Sequence, residues 1–284
     1  MNQEEEMKQQ AKILDRIKRM CLMDDVFFNV CMDGAPECVE LILRIIMDND
    51  ALKVQSVTTQ RSVPNLTYRG VRFDVLATAN GKVYNIEVQR TDEGAIPQRA
   101  RYNSSMIDSK LLQSGQQFNE LPESYVIFIT AHDVIGENFP IYHIRRTIFE
   151  TGKIFNDGSS IIYVNGENQD NTALGKLMQD FFSSNPNNMN YKLLAKRTRY
   201  FKEDKRGAAI MSPIAQEIYD EGIIKGKAEG KAEGKAEGKS EGKTDMIIEM
   251  LKENYTLKTI SKISKFTVEK IKEIAKENNI AVAE

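Results

Sequence analysis

The 284 residues carry 41% hydrophobic and 28% charged side chains, the balance of an ordinary globular chain with room for one sizeable domain plus an appendage, or for two small domains. A net charge of −2 excludes nucleic-acid binding through the overall field, so any such binding needs a local basic patch. No apolar run approaches the ~18 residues of a bilayer span, and the polar, acidic opening stretch is the opposite of a signal peptide, so a cytoplasmic protein without membrane contact is expected.

Residues 1–22 are charged and amphipathic and read as a helical segment. Cys21, Cys31 and Cys38 lack C-x-x-C spacing, which leaves buried free thiols rather than a disulfide framework or a zinc site. Residues 36–47 read as a helix, with Pro36 suited to its first turn and Val39, Leu41, Ile42, Ile45 and Ile46 as an apolar face. Residues 54–59, 71–78 and 83–89 then alternate with period two and are rich in β-branched residues. Asn80-Gly81 between the last two is a hairpin turn signal. Residues 97–112 return to helical character, 125–130 (YVIFIT) read as a buried strand, and 161–164 as another. Strands fed by helices imply an α/β or α+β sheet covered by helices.

Side chains of a strand alternate faces. Glu87 and Gln89 therefore share one face, Ile86 and Val88 point into the core, and Asp74 projects from the polar face of its own strand. A hairpin closed at Asn80-Gly81 brings Asp74 near Glu87. Two adjacent carboxylates repel unless a cation sits between them, and hard oxygen ligands suit Mg²⁺ or Mn²⁺. By pattern alone the same pair also fits a solvated sheet face. Arg99 and Tyr102, three residues apart, share a helix face, where they either hold phosphate or cover the edge of the sheet. The two histidines, His132 and His143, show no metal-ligand spacing and receive no role.

The motifs Asp24-Asp25-Val26-Phe27-Phe28, Arg72-Phe73-Asp74-Val75, Tyr84-Asn85-Ile86-Glu87-Val88-Gln89-Arg90 and Pro97-Gln98-Arg99-Ala100-Arg101-Tyr102 occur in that order. Together they resemble the PD-(D/E)XK nuclease superfamily and, more narrowly, the recombination-promoting nuclease and transposase families of bacteria. The resemblance covers about residues 23–180. It implies a restriction-endonuclease-like mixed sheet flanked by helices, with Asp74 and Glu87 binding the divalent metal beside the main-chain carbonyl of Val88. It also implies that Arg99 and Tyr102 face the active site and contact nucleic acid. Gln89 takes the place of the superfamily's usual lysine. A neutral amide orients a water but lends no positive charge, so the chemistry leans more on the metal or on Arg99. Glu40, or less readily Glu37, is the candidate for an additional catalytic acid from the helix at 36–47; both also fit solvent-facing glutamates.

Five segments are expected: 1–22, a nuclease-like core at 23–190, a basic helical region at 191–224, a spacer at 225–243 and a helical tail at 244–284. The basic stretch 191–206 interleaves Lys and Arg with Tyr191, Tyr200 and Phe201, a pattern that fits a phosphate backbone or a solvated helix face. The spacer repeats Lys-Ala-Glu-Gly with period four and reads as a marginal helix or a flexible linker. In the tail, Leu257, Ile260 and Ile263, then Val268, Ile271 and Ile274, form two apolar stripes, each after a capping threonine, Thr256 or Thr267. A helix-turn-helix with Lys270 and Lys272 on its DNA-facing helix fits, and so does a bundle for self-association. The reading is an Mg²⁺- or Mn²⁺-dependent DNA endonuclease, transposase-like and linked to DNA recombination, with a homodimer favoured by two-strand cutting and no small-molecule cofactor. RNA as substrate, or a catalytically idle binding or assembly module, are the alternatives.

Overall fold

The computed structural model describes residues 3–63, 70–112 and 114–282. The outermost residues of the expected first and last segments therefore lie outside the described residues. Two compact units are present, residues 1–215 and 216–284. No helix among the described residues is long and apolar enough to cross a membrane.

The first unit is a mixed α/β domain. Helices α1 (Gln3–Arg19), α2 (Asp25–Met32) and α3 (Pro36–Ile46) precede the sheet. Pro36 opens α3 where its missing N–H has no helical partner to lose, and Cys38, Val39, Ile42, Leu43 and Ile46 are buried. Strands β1 (Val54–Val63), β2 (Val71–Ala79) and β3 (Lys82–Gln89) form an antiparallel meander. Two further strands, β4 (Ser124–Thr130) and β6 (Ser159–Asn165), extend it in parallel, and β5 (Ile141–Ile144) lies antiparallel on the outer edge of β6. The sheet order is β1-β2-β3-β4-β6-β5. Parallel neighbours need a crossover, and α4 (Pro97–Leu111) supplies it between β3 and β4, laying Ala100, Met106 and Ile107 on Val83, Val126, Phe128 and Tyr163. Two helices, α5 (Ala173–Phe182) and α6 (Lys192–Glu203), complete the layers. All three cysteines are buried and free.

The β2–β3 turn is the expected one. Asn80 and Gly81 take φ of 49° and 73°, the left-handed pair that a two-residue hairpin of type I′ requires. The outward polar face expected for β3 is absent: Val83 through Val88 are all buried. The cause is position. Strand β3 is paired on both edges, and α2 and a short 3-10 helix, Asp92–Ala95, pack against it.

Helix α7 (Lys205–Lys252) runs for 48 residues and contains the unit boundary. The repeat lies within it as helix, with residues 226–242 exposed. In the second unit, Ile247 and Leu251 of α7 pack with α8 (Leu257–Ser264) and α9 (Val268–Glu277) through Ile260, Ile271 and Ile274. Thr256 and Thr267 cap these two helices by accepting from the Thr259 and Lys270 N–H groups. Ile263, expected in the first stripe, is 53% exposed while Ser264 is 1% exposed, so the stripe turns by one residue. The turn does without glycine because Lys265 itself adopts φ 63°, and Ser261 Oγ donates to the Phe266 carbonyl while Ser264 Oγ accepts from its N–H.

Glu40 joins α3 to β1. It accepts from the Val54 N–H at 3.0 Å and pairs with Arg44 at 2.6 Å and Lys53 at 3.3 Å. The Val54 hydrogen bond, helped by Lys53 and Arg44, holds its carboxyl below the usual carboxylate range. Glu40→Ala is expected to lower unfolding free energy in urea by about 1–2 kcal/mol at neutral pH. Because the folded carboxyl titrates below the unfolded one, the gap between wild type and variant should close as pH falls through the carboxylate range. A gap that is independent of pH would mean that packing, not charge, carries the effect.

Candidate active site

The β2–β3 ladder is regular from Ala79↔Lys82 to Val75↔Ile86 and stops there. The next step of the same register sets Asp74 opposite Glu87. At that step side chains replace the backbone: the Val88 N–H donates to Asp74 Oδ2 at 3.1 Å, and the Asp74 N–H donates to Glu87 Oε1 at 3.4 Å. On the other side, the β1–β2 pairing passes from Thr59↔Val75 to Arg61↔Phe73, stepping over Gln60, which holds φ 49°. A left-handed backbone at a residue other than glycine stores strain. Both ladders around Asp74 are thus interrupted, and the two carboxylates are fixed by the N–H groups that the interruption frees.

Glu87 is 0% exposed. Asn85 Nδ2 donates to its Oε1 at 2.9 Å, and Arg99 Nη2 to its Oε2 at 2.8 Å. Asn103, on α4, donates in turn to Asn85 Oδ1 at 3.3 Å. Burial, and then the Asp74 charge, push the Glu87 carboxyl above its ordinary range; Asn85 and Arg99 oppose them. Asp74 is raised too, chiefly by burial, against hydrogen bonds from Val88 and Asn29, with the charge of Asp25 adding to the rise. Two neighbouring carboxyls, both raised by burial and one further raised by the charge of the other, are suited to a cation.

Gln89 lies at the end of β3 over the 3-10 helix. A Cβ at Gly94 would stand 1.8 Å from Gln89 Oε1 and 3.4 Å from Arg99 Nη1, so this glycine permits the close approach of both side chains. Its carbonyl accepts from Arg99 Nη1 at 2.9 Å, and the Arg99 guanidinium lies 5.8 Å from the centre of the Phe128 ring. Arg99 is therefore held by Glu87, Gly94 and Phe128 together. Tyr102 is half-buried one turn further along α4.

Residues 43–183 match the family described as PD-(D/E)XK nuclease family transposase. The match places this stretch of the chain in that family. Comparison with curated proteins and with solved structures gives no match. The matched stretch holds Asp74, Glu87, Val88, Gln89, Arg99 and Tyr102, and the six-stranded mixed sheet with its helices agrees with the family's fold.

PD-(D/E)XK nucleases typically use divalent metals, and the donors here fit one: carboxylate oxygens of Asp74 and Glu87 with the Val88 carbonyl. The sign of fit is the chemistry of these hard oxygen donors, set beside each other at the ladder interruption; Arg99 already balances the Glu87 charge. Among the described residues no three His, Cys, Asp or Glu side chains form a group that could hold a metal, so the main-chain oxygen and water would have to complete the shell. Glu40 is not brought to this pair. Val54, to which it is bonded, pairs with Ala79, five residues along β2 from Asp74, or roughly 17 Å at the rise of a strand. The expectation of a catalytic Glu40 is corrected accordingly, and Glu37 is exposed on the same helix. Lys270 and Lys272 are exposed on α9 of the second unit, with Lys270 Nζ 2.9 Å from Glu273 Oε2.

Residues passed over in the sequence also reach the site. Asn29 Nδ2 stands 3.5 Å from Asp74 Oδ1, and Asp25 lies one turn before it on α2. Asp25 lies within the Asp24-Asp25-Val26-Phe27-Phe28 motif and Asn29 directly follows it, which was the available signal. Asn85 was signalled by alternation, since 85, 87 and 89 share a face; Gly94 carried no signal.

Arg99→Ala would leave the buried Glu87 carboxylate without its cation. The expected loss is about 2–3 kcal/mol in chemical unfolding, less than for a fully buried pair because Arg99 is 36% exposed. Millimolar Mg²⁺ or Mn²⁺ should restore part of that loss; no restoration would mean that the pair does not accept a cation.

Proposed function

We propose that this chain is an Mg²⁺- or Mn²⁺-dependent DNA endonuclease that hydrolyses phosphodiester bonds with water. The observation that carries the reading is the pair of buried, raised carboxyls, Asp74 and Glu87, set at the interruption of the β2–β3 ladder with Arg99 as counter-charge. Asp74, Glu87 and the Val88 carbonyl would hold the metal. When bound, the metal lowers the pKa of its water and polarises the scissile phosphate. Asp74 stays oriented by the Val88 N–H, and Glu87 by Asn85. The Gln89 amide orients the attacking water without adding charge, and Arg99 supplies the positive charge that a lysine would otherwise bring. Arg99 and Tyr102 contact the nucleic acid. The second unit, with Lys270 and Lys272, localises the enzyme on DNA or pairs two copies. A cytoplasmic, bacterial setting and a role in DNA recombination belong to the same reading.

One observation favours a second reading, an idle nucleic-acid-binding or assembly module. The Glu87 carboxylate is fully buried, with both oxygens engaged by protein donors. For a nuclease, Glu87 would have to give up part of its contact with Arg99 to hold a metal.

Supercoiled plasmid and a structured RNA, each incubated with Mg²⁺ or Mn²⁺, separate these readings. Wild type should nick the plasmid, and Asp74→Ala and Glu87→Ala should each lower the rate by at least about 100-fold. Equal nicking by all three would remove the pair from the chemistry. Cutting of RNA alone would move the substrate, and metal-independent binding without cutting would support the idle module.

Gly94→Ala offers a finer check. The backbone there tolerates alanine, since φ is not left-handed, and the atom displaced is the mobile end of Gln89. Gly94→Ala should melt within a few degrees of wild type yet lose as much nicking activity as Gln89→Ala. Full activity in Gly94→Ala would show that the position of the Gln89 amide is immaterial.

A further inference from the structure

Between the start of β2 and the first turns of α4 runs an open groove of about 900 Å³. Among the described residues, Arg72, Arg99 and Arg101 border it against a single acid, Glu93, and Ile96 and Tyr102 give it an apolar wall. Ile96 is 46% exposed there, a cost that an occupant with an apolar face would offset. Arg99 marks the end of the groove that touches the carboxylate pair, because the same guanidinium bonds Glu87.

The other two guanidiniums have no such commitment. Arg101 is exposed, and its side chain has no hydrogen bond or ion pair among the described residues. Arg72 is exposed, and among the described residues its side chain reaches only the neutral Gln60 side chain. Arg72 is two residues before Asp74 on β2, so the two are one strand repeat apart, about 7 Å, which is of the order of the spacing between adjacent phosphates of one nucleic-acid strand. Two charges on a polar chain of net charge −2 thus face a groove leading to the pair, where a local basic patch is what such a chain needs to attract a polyanion.

We propose that this groove seats the DNA backbone on one side of the scissile phosphate, with Arg72 and Arg101 each holding a phosphate and the Ile96–Tyr102 wall against the sugars between them. The inference rests on the nuclease reading for its substrate and adds residues to which that reading gave no part. It makes Arg72 and Arg101 backbone contacts, which add affinity without reading sequence.

The test is binding of fluorescent DNA of two unrelated sequences to the full chain in EDTA, over a range of salt. Arg72→Ala, Arg101→Ala and the double variant are compared with wild type and with Lys153→Ala, an exposed lysine outside the groove. All are also made on a Lys270→Ala/Lys272→Ala background, so that the second unit does not mask the groove. Each single variant should weaken binding about equally for both sequences and lower the slope of log K against log salt by about 1, and the double variant by about 2. Melting temperature should stay unchanged, because both arginines are exposed. Unchanged affinity and slope in the double variant on both backgrounds would overturn the proposal, as would a loss confined to one sequence. Because the measurement involves no cleavage, it is independent of the nuclease assignment. A chain that cuts nothing yet shows these slopes keeps the groove and loses the nuclease, whereas nicking by wild type with unaltered slopes does the reverse.

Discussion

An ionised carboxylate buried in a sheet is tolerated only if donors surround it, and Glu87 imposes that condition on everything near it. Its position on an interior strand removes water. The structure answers with Asn85 on the same strand, the Asp74 N–H across the ladder, and Arg99 from α4. Each of these has requirements of its own. Arg99 reaches Glu87 only because α4 begins directly after a 3-10 helix whose Gly94 lacks a side chain and offers its carbonyl. Asn85 is held by Asn103, buried on α4. The crossover helix between β3 and β4 is therefore also the scaffold of the site.

Helix α2 is tied to the same place from the other direction. Arg90, immediately after β3, pairs with Asp24 at 2.9 Å and donates to Cys21 Sγ at 3.1 Å. Phe27 and Phe28 are fully buried, so the polar end of α2 is anchored by its own apolar body, and Asn29 is set beside Asp74. Lys202 of α6 closes the arrangement by donating to the Lys18, Met20 and Ser184 carbonyls. Burial lowers the pKa of this lysine, but three carbonyl acceptors and the Phe27 ring give its charge partners. The site thus depends on a short helix, a crossover and a strand interruption held by specific polar contacts rather than by apolar packing alone.

Much of this was legible in the chain. Period-two alternation and Asn80-Gly81 are local signals, decided by backbone geometry and by which residues tolerate positive φ, so the hairpin and the approach of Asp74 to Glu87 followed from them. The same holds for Pro36 at the start of α3 and for Thr256 and Thr267 as caps, because a cap is a contact between residues three apart. Alternation also says which side chains share a face, but not whether that face meets water. The polar face expected for Glu87 became a buried one for that reason.

What only the tertiary structure decided is the set of contacts between residues far apart in sequence. Glu40 lies on the right kind of helix, yet the way α3 meets β1 sends it to the hairpin end of the strands, where it accepts from Val54. Gly94, Asn29 and the groove between β2 and α4 exist as site features only once four separate elements have been brought together. By itself, the sequence determined the strands, the turn, the caps and the order of the motifs, because each of these is an interaction within a few residues. Burial, strain at Gln60 and the partner of each charge were decided by packing, because they depend on which elements become neighbours, and no local period encodes that.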